Sequence, residues 1–211
     1  MTGKPRIPCS PDALPRTEAQ RGAPATRAAP AELKAALRTR LRAQRAGFDP
    51  AHKARLDEQL CARVLALFAD IELRSWGVFW PLKGEPDLFP AYEALAQRGV
   101  ELFLPVVLKR DAPLDFCRWT PGETMHKDAM GIAVPEQLRL APTPELLLIP
   151  CLGWNRAKFR LGYGGGFYDR TLAVAKPPFT VGVGYADLEA EFPTQTHDVA
   201  LDVLVTERAT W

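Results

Sequence analysis

Hydrophobic residues at helical spacing begin the folded part of the chain. Leu33, Leu37 and Leu41 recur every four residues, which predicts a helix over roughly 31–46 with one apolar face. Asp49 is a residue type suited to a helix N-cap, and a second helix is predicted after it. The apolar face of that helix contains five residues: Leu56, Leu60, Val64, Leu67 and Phe68. We therefore expect two helices that each pack one side against a core.

Further along the chain the pattern changes to short strands that alternate with helices. The predicted strands cover residues 76–80, 101–107, 114–119, 146–149, 179–183 and 203–205. Helices are predicted at 86–98 and directly after the glycines at 164–166. The continuous apolar run at 146–149 is typical of a central parallel strand. This alternation predicts an α/β fold, a single three-layer domain with a largely parallel central sheet flanked by helices.

The composition is that of a globular protein, with 47% hydrophobic and 25% charged residues among 211. No apolar run approaches the ~18 residues that a membrane-spanning helix needs, so we expect no membrane partner. The formal net charge of +2 is too small to indicate nucleic acid as the main partner. A local site for a small molecule is the remaining expectation.

Residues 1–30 contain six of the 20 prolines, several arginines and almost no large apolar residues. Such a segment buries too little surface to offset its ordering entropy, so we expect a disordered Pro/Arg-rich tail before a domain at 31–211. The four cysteines, Cys9, Cys61, Cys117 and Cys151, show no metal-ligand spacing. They are expected to be reduced, mostly buried thiols of a cytoplasmic protein.

A glycine-rich loop joins the buried strand at 146–149 to a predicted helix. Gly162, Gly164, Gly165 and Gly166 allow the backbone to approach a ligand closely, and the helix after them adds positive potential suited to a phosphate. In an open α/β sheet, ligands bind beyond the carboxyl ends of the strands, where such a loop should lie. The loop matches neither GxxxxGK[ST] nor GxGxxG. Anion binding and a tight strand-to-helix connection are both open at this point.

The loop sequence RLGYGGGFYDR, residues 160–170, resembles the most diagnostic motif of the 5-formyltetrahydrofolate cyclo-ligase family, also called 5,10-methenyltetrahydrofolate synthetases. Other motifs of this family occur in the same order along the chain: Lys34–Arg38, Lys83–Asp87, Thr120–Gly122, Met130–Ile132 and Thr196–Asp202. The resemblance covers residues 31–207. It implies a three-layer α/β domain, in agreement with the pattern of strands and helices.

Matched position by position, the resemblance implies the binding residues of an ATP- and Mg2+-dependent enzyme. The residues implied for ATP are Lys34, Arg38, Arg160, Leu161, Gly162, Tyr163, Gly164, Gly165, Gly166, Phe167 and Tyr168. The residues implied for folate are Arg38, Trp80, Glu85, Tyr163, Gly164, Gly165, Gly166 and Phe167. Asp169 and Asp202 are implied as ligands of Mg2+, which prefers a few carboxylates together with phosphate oxygens.

Arg160 and Lys34 are the implied catalytic residues, because their charges would balance the charge of a transferring phosphoryl group. Arg42 and Arg45 continue the basic stripe of the first helix, and we expect them to be solvated. Tyr163, Phe167, Tyr168 and Trp80 are expected to wall a pterin ring by stacking.

The implied reaction converts 5-formyltetrahydrofolate and ATP to 5,10-methenyltetrahydrofolate, ADP and phosphate, as a step of one-carbon metabolism. The implied enzyme is a monomeric ligase with a small-molecule folate substrate. Two alternatives are kept. A relative of sugar-phosphate isomerases or acyl-CoA transferases would lack ATP-dependent ring closure. A non-catalytic folate- or nucleotide-binding protein is favoured by Asn155 and Leu188, which stand where the family often has Asp and Gln.

Overall fold

The computed structural model describes residues 29–69, 71, 74–128, 131–174 and 176–211. The predicted tail up to residue 28 lies outside the described residues, as does Met130 of one family motif. The helices are α1 (Pro30–Ala46), α2 (Pro50–Leu67), α3 (Phe89–Gln97) and α4 (Phe167–Leu172). The strands are β1 (Ser75–Gly77), β2 (Glu101–Val106), β3 (Asp115–Trp119), β4 (Met125–Lys127), β5 (Ala133–Pro135), β6 (Leu140–Ala141), β7 (Leu146–Pro150), β8 (Gly153–Trp154), β9 (Arg160–Leu161), β10 (Phe179–Val183) and β11 (Val203–Val205).

Seven of these strands form the central sheet, in the order β11-β10-β7-β1-β2-β3-β6. The first five run parallel, whereas β3 and β6 are antiparallel to their neighbours. Along β7, Leu146 and Leu148 pack into one hydrophobic cluster with α2 and α3, and Leu147 and Ile149 pack into a second cluster with α4. Alternate side chains of a strand point to opposite faces, so helices cover both sides of the sheet. The predicted three-layer α/β domain with a largely parallel sheet is confirmed.

Helix α2 buries the face that its sequence predicts. Leu56, Leu60, Val64 and Phe68 are all buried. Asp49 caps the helix, since its Oδ1 accepts a hydrogen bond from the His52 backbone N–H at 2.9 Å. This helix therefore supplies much of the apolar layer on one side of the sheet.

Helix α1 buries only part of the predicted leucine stripe: Leu41 is buried and Leu37 packs against the core, but Leu33 does not. Leu33 is 45% exposed, and the buried residues of the helix are Lys34, Leu41 and Arg45. The reason is that α1 packs against polar backbone, where Arg38 donates to a carbonyl of the glycine loop and Arg45 to a carbonyl of the turn after β1. The helix thus brings cations to the interior of the domain.

The described cysteines, Cys61, Cys117 and Cys151, are free and buried, as expected. Burial raises the pKa of the Cys61 thiol to about 11 and that of Cys151 to about 12. Both are therefore thiols at neutral pH. In the described part of the chain, the helices lack the combination of length and apolar character that spanning a bilayer requires.

Candidate active site

A cavity of about 660 Å³ opens at the carboxyl ends of the parallel strands. Phe79 and Trp80 enter its wall directly after β1, Val107 after β2, and Pro150 at the end of β7. The chain adds β2 on one side of β1, and it adds β10 and β11 beyond β7 on the other. The cavity therefore lies where the strand order changes direction, which is the position of ligand sites in open α/β sheets.

The glycine loop forms one wall of this cavity. Every residue from Arg160 to Asp169 lines it. Gly164 and Gly166 have left-handed backbone conformations, with φ of +96° and +65°, and Gly166 is the N-cap of α4. Residues with a side chain rarely adopt such φ values, so the loop depends on glycine at these two positions. The predicted order of strand, glycine loop and helix is present.

Lys34 and Arg38 of α1 both reach the cavity. Nζ of Lys34 lies 2.5 Å from Oδ2 of Asp198 in a largely buried ion pair. Nε of Arg38 donates to the Gly162 carbonyl oxygen at 2.9 Å. Burial, and after it the positive charge of Arg42, lower the pKa of Arg38, although an arginine stays protonated at neutral pH. The two cations implied by the family resemblance therefore line the same cavity as the glycine loop.

Asp198 occupies the cavity wall with its charge stabilised by two donors. Its Oδ2 accepts from Lys34 and from the Gln195 backbone N–H at 2.8 Å. Burial by itself raises the pKa of Asp198, but these hydrogen bonds outweigh burial and hold that pKa below its ordinary value of 3.8. His197, next to it in sequence, is exposed, with Nε2 3.9 Å from Oδ1 of Asp198.

Arg160 is fixed by two acceptors on different segments. Its Nη2 lies 2.6 Å from Oδ1 of Asp169, and its Nη1 donates to the Val199 carbonyl oxygen at 3.0 Å. The guanidinium also lies over the ring of Tyr168, 5.9 Å from its centroid. Arg160 therefore lines the cavity as a buried and oriented positive charge.

The structure does not bring Asp169 and Asp202 together as the expected pair of metal ligands. Oδ2 of Asp202 accepts hydrogen bonds from the backbone N–H and the hydroxyl of Thr180, at 2.8 and 2.7 Å, near the amino end of β10. Asp169 lines the cavity, whereas Asp202 does not. The carboxylates that line the cavity together with Asp169 are Asp198 and Glu85. Among the described residues there is no group of three His, Cys, Asp or Glu side chains placed to hold a metal ion.

Much of the cavity wall is aromatic and aliphatic. The Trp80 ring packs edge-on against Phe89 and Trp119, with centroids 4.8 and 6.0 Å apart. Phe167 and Tyr168 line the cavity from the start of α4. These rings give the cavity flat apolar surfaces on which a planar heterocycle can stack.

Glu85 is a buried carboxylate in this wall, 2% exposed. Its Oε2 accepts from the Leu82 backbone N–H at 2.8 Å, and its Oε1 accepts from the Tyr163 hydroxyl at 2.5 Å. The Tyr163 hydroxyl in turn accepts from Nη2 of Arg45 at 2.8 Å. Burial and the neighbouring Glu85 raise the pKa of Tyr163 well above its ordinary value, so the phenol keeps its proton and donates a hydrogen bond to Glu85.

The positions that depart from the family pattern are accommodated within the fold. Asn155 is buried, and its Oδ1 accepts from the Phe159 backbone N–H at 3.1 Å, which closes the turn before β9. Leu188 is buried in the core cluster on the α2 side of the sheet. Phe167, which stands where the resemblance leads us to expect Tyr, lines the cavity.

The sequence predictions missed two residues, Asp198 in the cavity wall and Arg45, which bonds to Tyr163 of that wall. Asp198 stands inside the family motif Thr196–Asp202, from which the resemblance implied Asp202 instead. Arg45 is 6% exposed, although it was expected to be solvated. Its spacing of eleven residues from Lys34 on one helix is the only sequence signal for its inward direction.

The fold and the cavity define a class: an open α/β domain in which one small-molecule cavity is lined by a cationic glycine loop and by aromatic side chains. A sequence profile of the 5-formyltetrahydrofolate cyclo-ligase family matches residues 30–207. The chain belongs to this family.

Individual relatives agree with the family match. The 5-formyltetrahydrofolate cyclo-ligase of Escherichia coli (strain K12) is 28% identical over 179 residues, which cover 81% of this chain and 98% of the relative. That of Mycolicibacterium smegmatis is 31% identical over 146 residues, 64% of this chain and 74% of the relative. The NMR structure of Aquifex aeolicus 5,10-methenyltetrahydrofolate synthetase superposes with a TM-score of 0.73 at 27% identity, over 84% of this chain and 91% of that chain.

Proposed function

We propose that this protein is an ATP-dependent 5-formyltetrahydrofolate cyclo-ligase, which forms 5,10-methenyltetrahydrofolate and releases ADP and phosphate. One observation carries the proposal beyond family membership. A single cavity combines a cationic glycine loop with an aromatic wall that contains a buried carboxylate. A nucleoside triphosphate requires the cationic loop for its phosphates, and a pterin requires the aromatic wall beside it.

In this reaction the protein has to position the substrates and stabilise the charge that is transferred. The oxygen of the formyl group on N5 is a poor leaving group. Its phosphorylation by ATP produces an activated iminium phosphate. N10 of the same substrate then attacks the formyl carbon, the ring closes, and phosphate departs. The nucleophile belongs to the substrate, so the protein has to hold both substrates and stabilise the transferring phosphoryl group.

Lys34, Arg38 and Arg160 are proposed to bind the phosphates of ATP together with the backbone of residues 162–166. The support is their position, since all three line the same cavity as the glycine loop. All three cations are already oriented by acceptors: Lys34 by Asp198, Arg160 by Asp169 and Arg38 by the Gly162 carbonyl oxygen. Preorganised charges of this kind stabilise a transition state without reorganising during the reaction. Arg160 and Lys34 are the proposed catalytic residues.

Mg2+ that accompanies ATP is proposed to be held by Asp169 and Asp198. Both carboxylates line the cavity, and each has one oxygen, Oδ2 of Asp169 and Oδ1 of Asp198, that receives no hydrogen bond from the described residues. One or two carboxylates with phosphate oxygens and water suit this ion, which would neutralise phosphate charge.

The folate is proposed to lie against Trp80 with Glu85 facing the hydrogen-bond donors of its pterin. A carboxylate accepts at up to four lone-pair positions, and Glu85 uses two of them within the protein. The chain is further proposed to act as a monomer, and to work in the cytoplasm, where thiols such as the three described ones stay reduced.

Incubation of the purified protein with 5-formyltetrahydrofolate and Mg-ATP tests the proposal. We expect the methenyl chromophore to form with one phosphate released per turnover. Omission of ATP should abolish the signal. ATP binding without phosphate release would instead establish the non-catalytic alternative.

A further inference from the structure

Arg45 connects three segments that are far apart in sequence. Its Nη2 donates to the Lys83 carbonyl oxygen at 3.2 Å and to the Tyr163 hydroxyl at 2.8 Å. It therefore joins α1 to the turn that carries Glu85 and to the glycine loop that carries Tyr163.

The turn is shaped to receive this guanidinium. Gly84 has a φ of +80°, and a Cβ at that position would lie 3.3 Å from Nε of Arg45. The packing leaves the guanidinium almost no contact with water, and Nη1 is buried without an acceptor among the described residues. A buried arginine with an unpaired nitrogen is costly for stability. This cost points to a role for Arg45 beyond packing.

The hydrogen bonds run in one direction, from the cation to the carboxylate. Arg45 donates to the oxygen of Tyr163, and the same hydroxyl donates to Oε1 of Glu85 at 2.5 Å. A cation that donates to a phenol oxygen draws electron density from it, which makes the phenol a stronger donor to its own acceptor. The charge of Arg45 therefore stabilises the ionised Glu85 without touching it.

We propose that Arg45 is a positioning residue for the folate, which fixes the direction and the charge of the Glu85 carboxylate through Tyr163. The inference rests on the proposed function, because it takes Glu85 as the group that faces the pterin. It extends that function, because it says that Arg45 contributes to folate affinity although it lies outside the cavity wall.

A double-mutant cycle tests this inference. Folate and ATP kinetics are measured for the wild type, Arg45→Met, Tyr163→Phe and the double variant. We expect Arg45→Met to raise the KM for 5-formyltetrahydrofolate about tenfold, because the hydrogen bond from the charged guanidinium to the Tyr163 hydroxyl is lost. The KM for ATP should change less. Residues that act in one network are not additive, so in the Tyr163→Phe background the same substitution should raise that KM less than about threefold.

Arg42→Met is the matched control. Arg42 is an exposed cation of the same helix and lies over the Tyr163 ring, 5.2 Å from its centroid, without bonding to the hydroxyl. We expect its removal to leave the folate KM within about twofold of wild type, since exposed charges contribute little. An equal effect of Arg42→Met and Arg45→Met would overturn the inference, because it would show that any nearby cation suffices.

Two other results would also overturn it: the same tenfold effect of Arg45→Met in both backgrounds, or equal increases in the KM of both substrates. If thermal melting shows that Arg45→Met does not fold, Arg45→Lys replaces it in the cycle, and the same criterion applies. A wild type that forms no methenyl product would count against the proposed function itself. Wild-type turnover with an additive cycle would count against the role of Arg45 alone.

Discussion

Arg160 and Asp169 close the glycine loop with an ion pair in which Nη2 of Arg160 lies 2.6 Å from Oδ1 of Asp169. One residue precedes the glycines and the other stands in the first turn of α4, so the pair fixes both ends of the loop. The Arg160 side chain is only 5% exposed, and its second bond, to the Val199 carbonyl oxygen, ties the loop to the C-terminal segment. Arg160 therefore supports the loop as well as bringing a charge to the cavity.

Substitution of Arg160 by alanine is expected to lower kcat about a hundredfold or more, as the loss of one preorganised charge contact does in other enzymes. It should also lower Tm by several degrees, because Asp169 loses its buried partner. Arg160→Lys should recover part of both, since an ammonium is a point charge without the planar fork. Steady-state kinetics and thermal melting check these expectations.

The matched control for Arg160 is Arg156→Ala, because Arg156 lies in the preceding turn and forms an exposed ion pair with Glu189 at 2.8 Å. It should leave kcat and Tm near wild type. An unchanged kcat in Arg160→Ala, with weaker binding of both substrates, would assign Arg160 to loop structure alone.

Glu85→Gln is expected to weaken folate affinity about ten- to hundredfold, because a hydrogen bond to a charged group is lost while the shape is kept. The affinity for ATP should change much less. Titration calorimetry with each substrate measures both affinities, and the exposed Glu136→Gln serves as the control. Equal losses for the two substrates would indicate that Glu85 mainly closes the Leu82–Glu85 turn.

Asp198→Asn is expected to destabilise the protein at pH 7 by about 2 kcal/mol, because Lys34 is left buried without its partner charge. The lowered pKa of Asp198 makes this contribution pH-dependent. Stabilisation is fully present above the ordinary value of 3.8 and is lost as the pH falls through the lower pKa of the folded state. The difference in unfolding free energy between wild type and variant should therefore shrink below about pH 4.

Urea unfolding at several pH values measures that difference. Asp187→Asn provides the comparison, since Asp187 pairs with Arg208 at 2.7 Å on the exposed surface and should contribute little. If the difference in unfolding free energy between wild type and Asp198→Asn stays constant from pH 7 to pH 3, the proposed origin of the pKa shift is contradicted.

Deletion of residues 1–28 is expected to leave turnover and Tm nearly unchanged, since that segment has few residues able to join a core. The deletion should stop before Ala29, whose backbone N–H donates to Glu32 at 3.2 Å at the start of α1. Rate assays and melting curves of the shortened chain check this. A large drop in rate would show that the segment contributes to the site.

The sequence by itself determined the features that depend on local pattern. The apolar face of α2, the buried run of β7 and the strand–glycine–helix order around residues 160–170 all follow from spacing and residue type within one segment. Such signals are strong because an element must bury its apolar side wherever it packs. The motifs in register also indicated the family and the loop that lines the cavity.

Tertiary structure decided which polar residues face the interior. Lys34 meets Asp198 across 164 residues of sequence, and Arg45 meets Tyr163 across 118. The periodicity of α1 favoured Leu33 over these cations, and the resemblance in the C-terminal motif pointed to Asp202 rather than to Asp198. A charged side chain is buried only where distant segments supply its partners, and helical spacing carries no information about those partners.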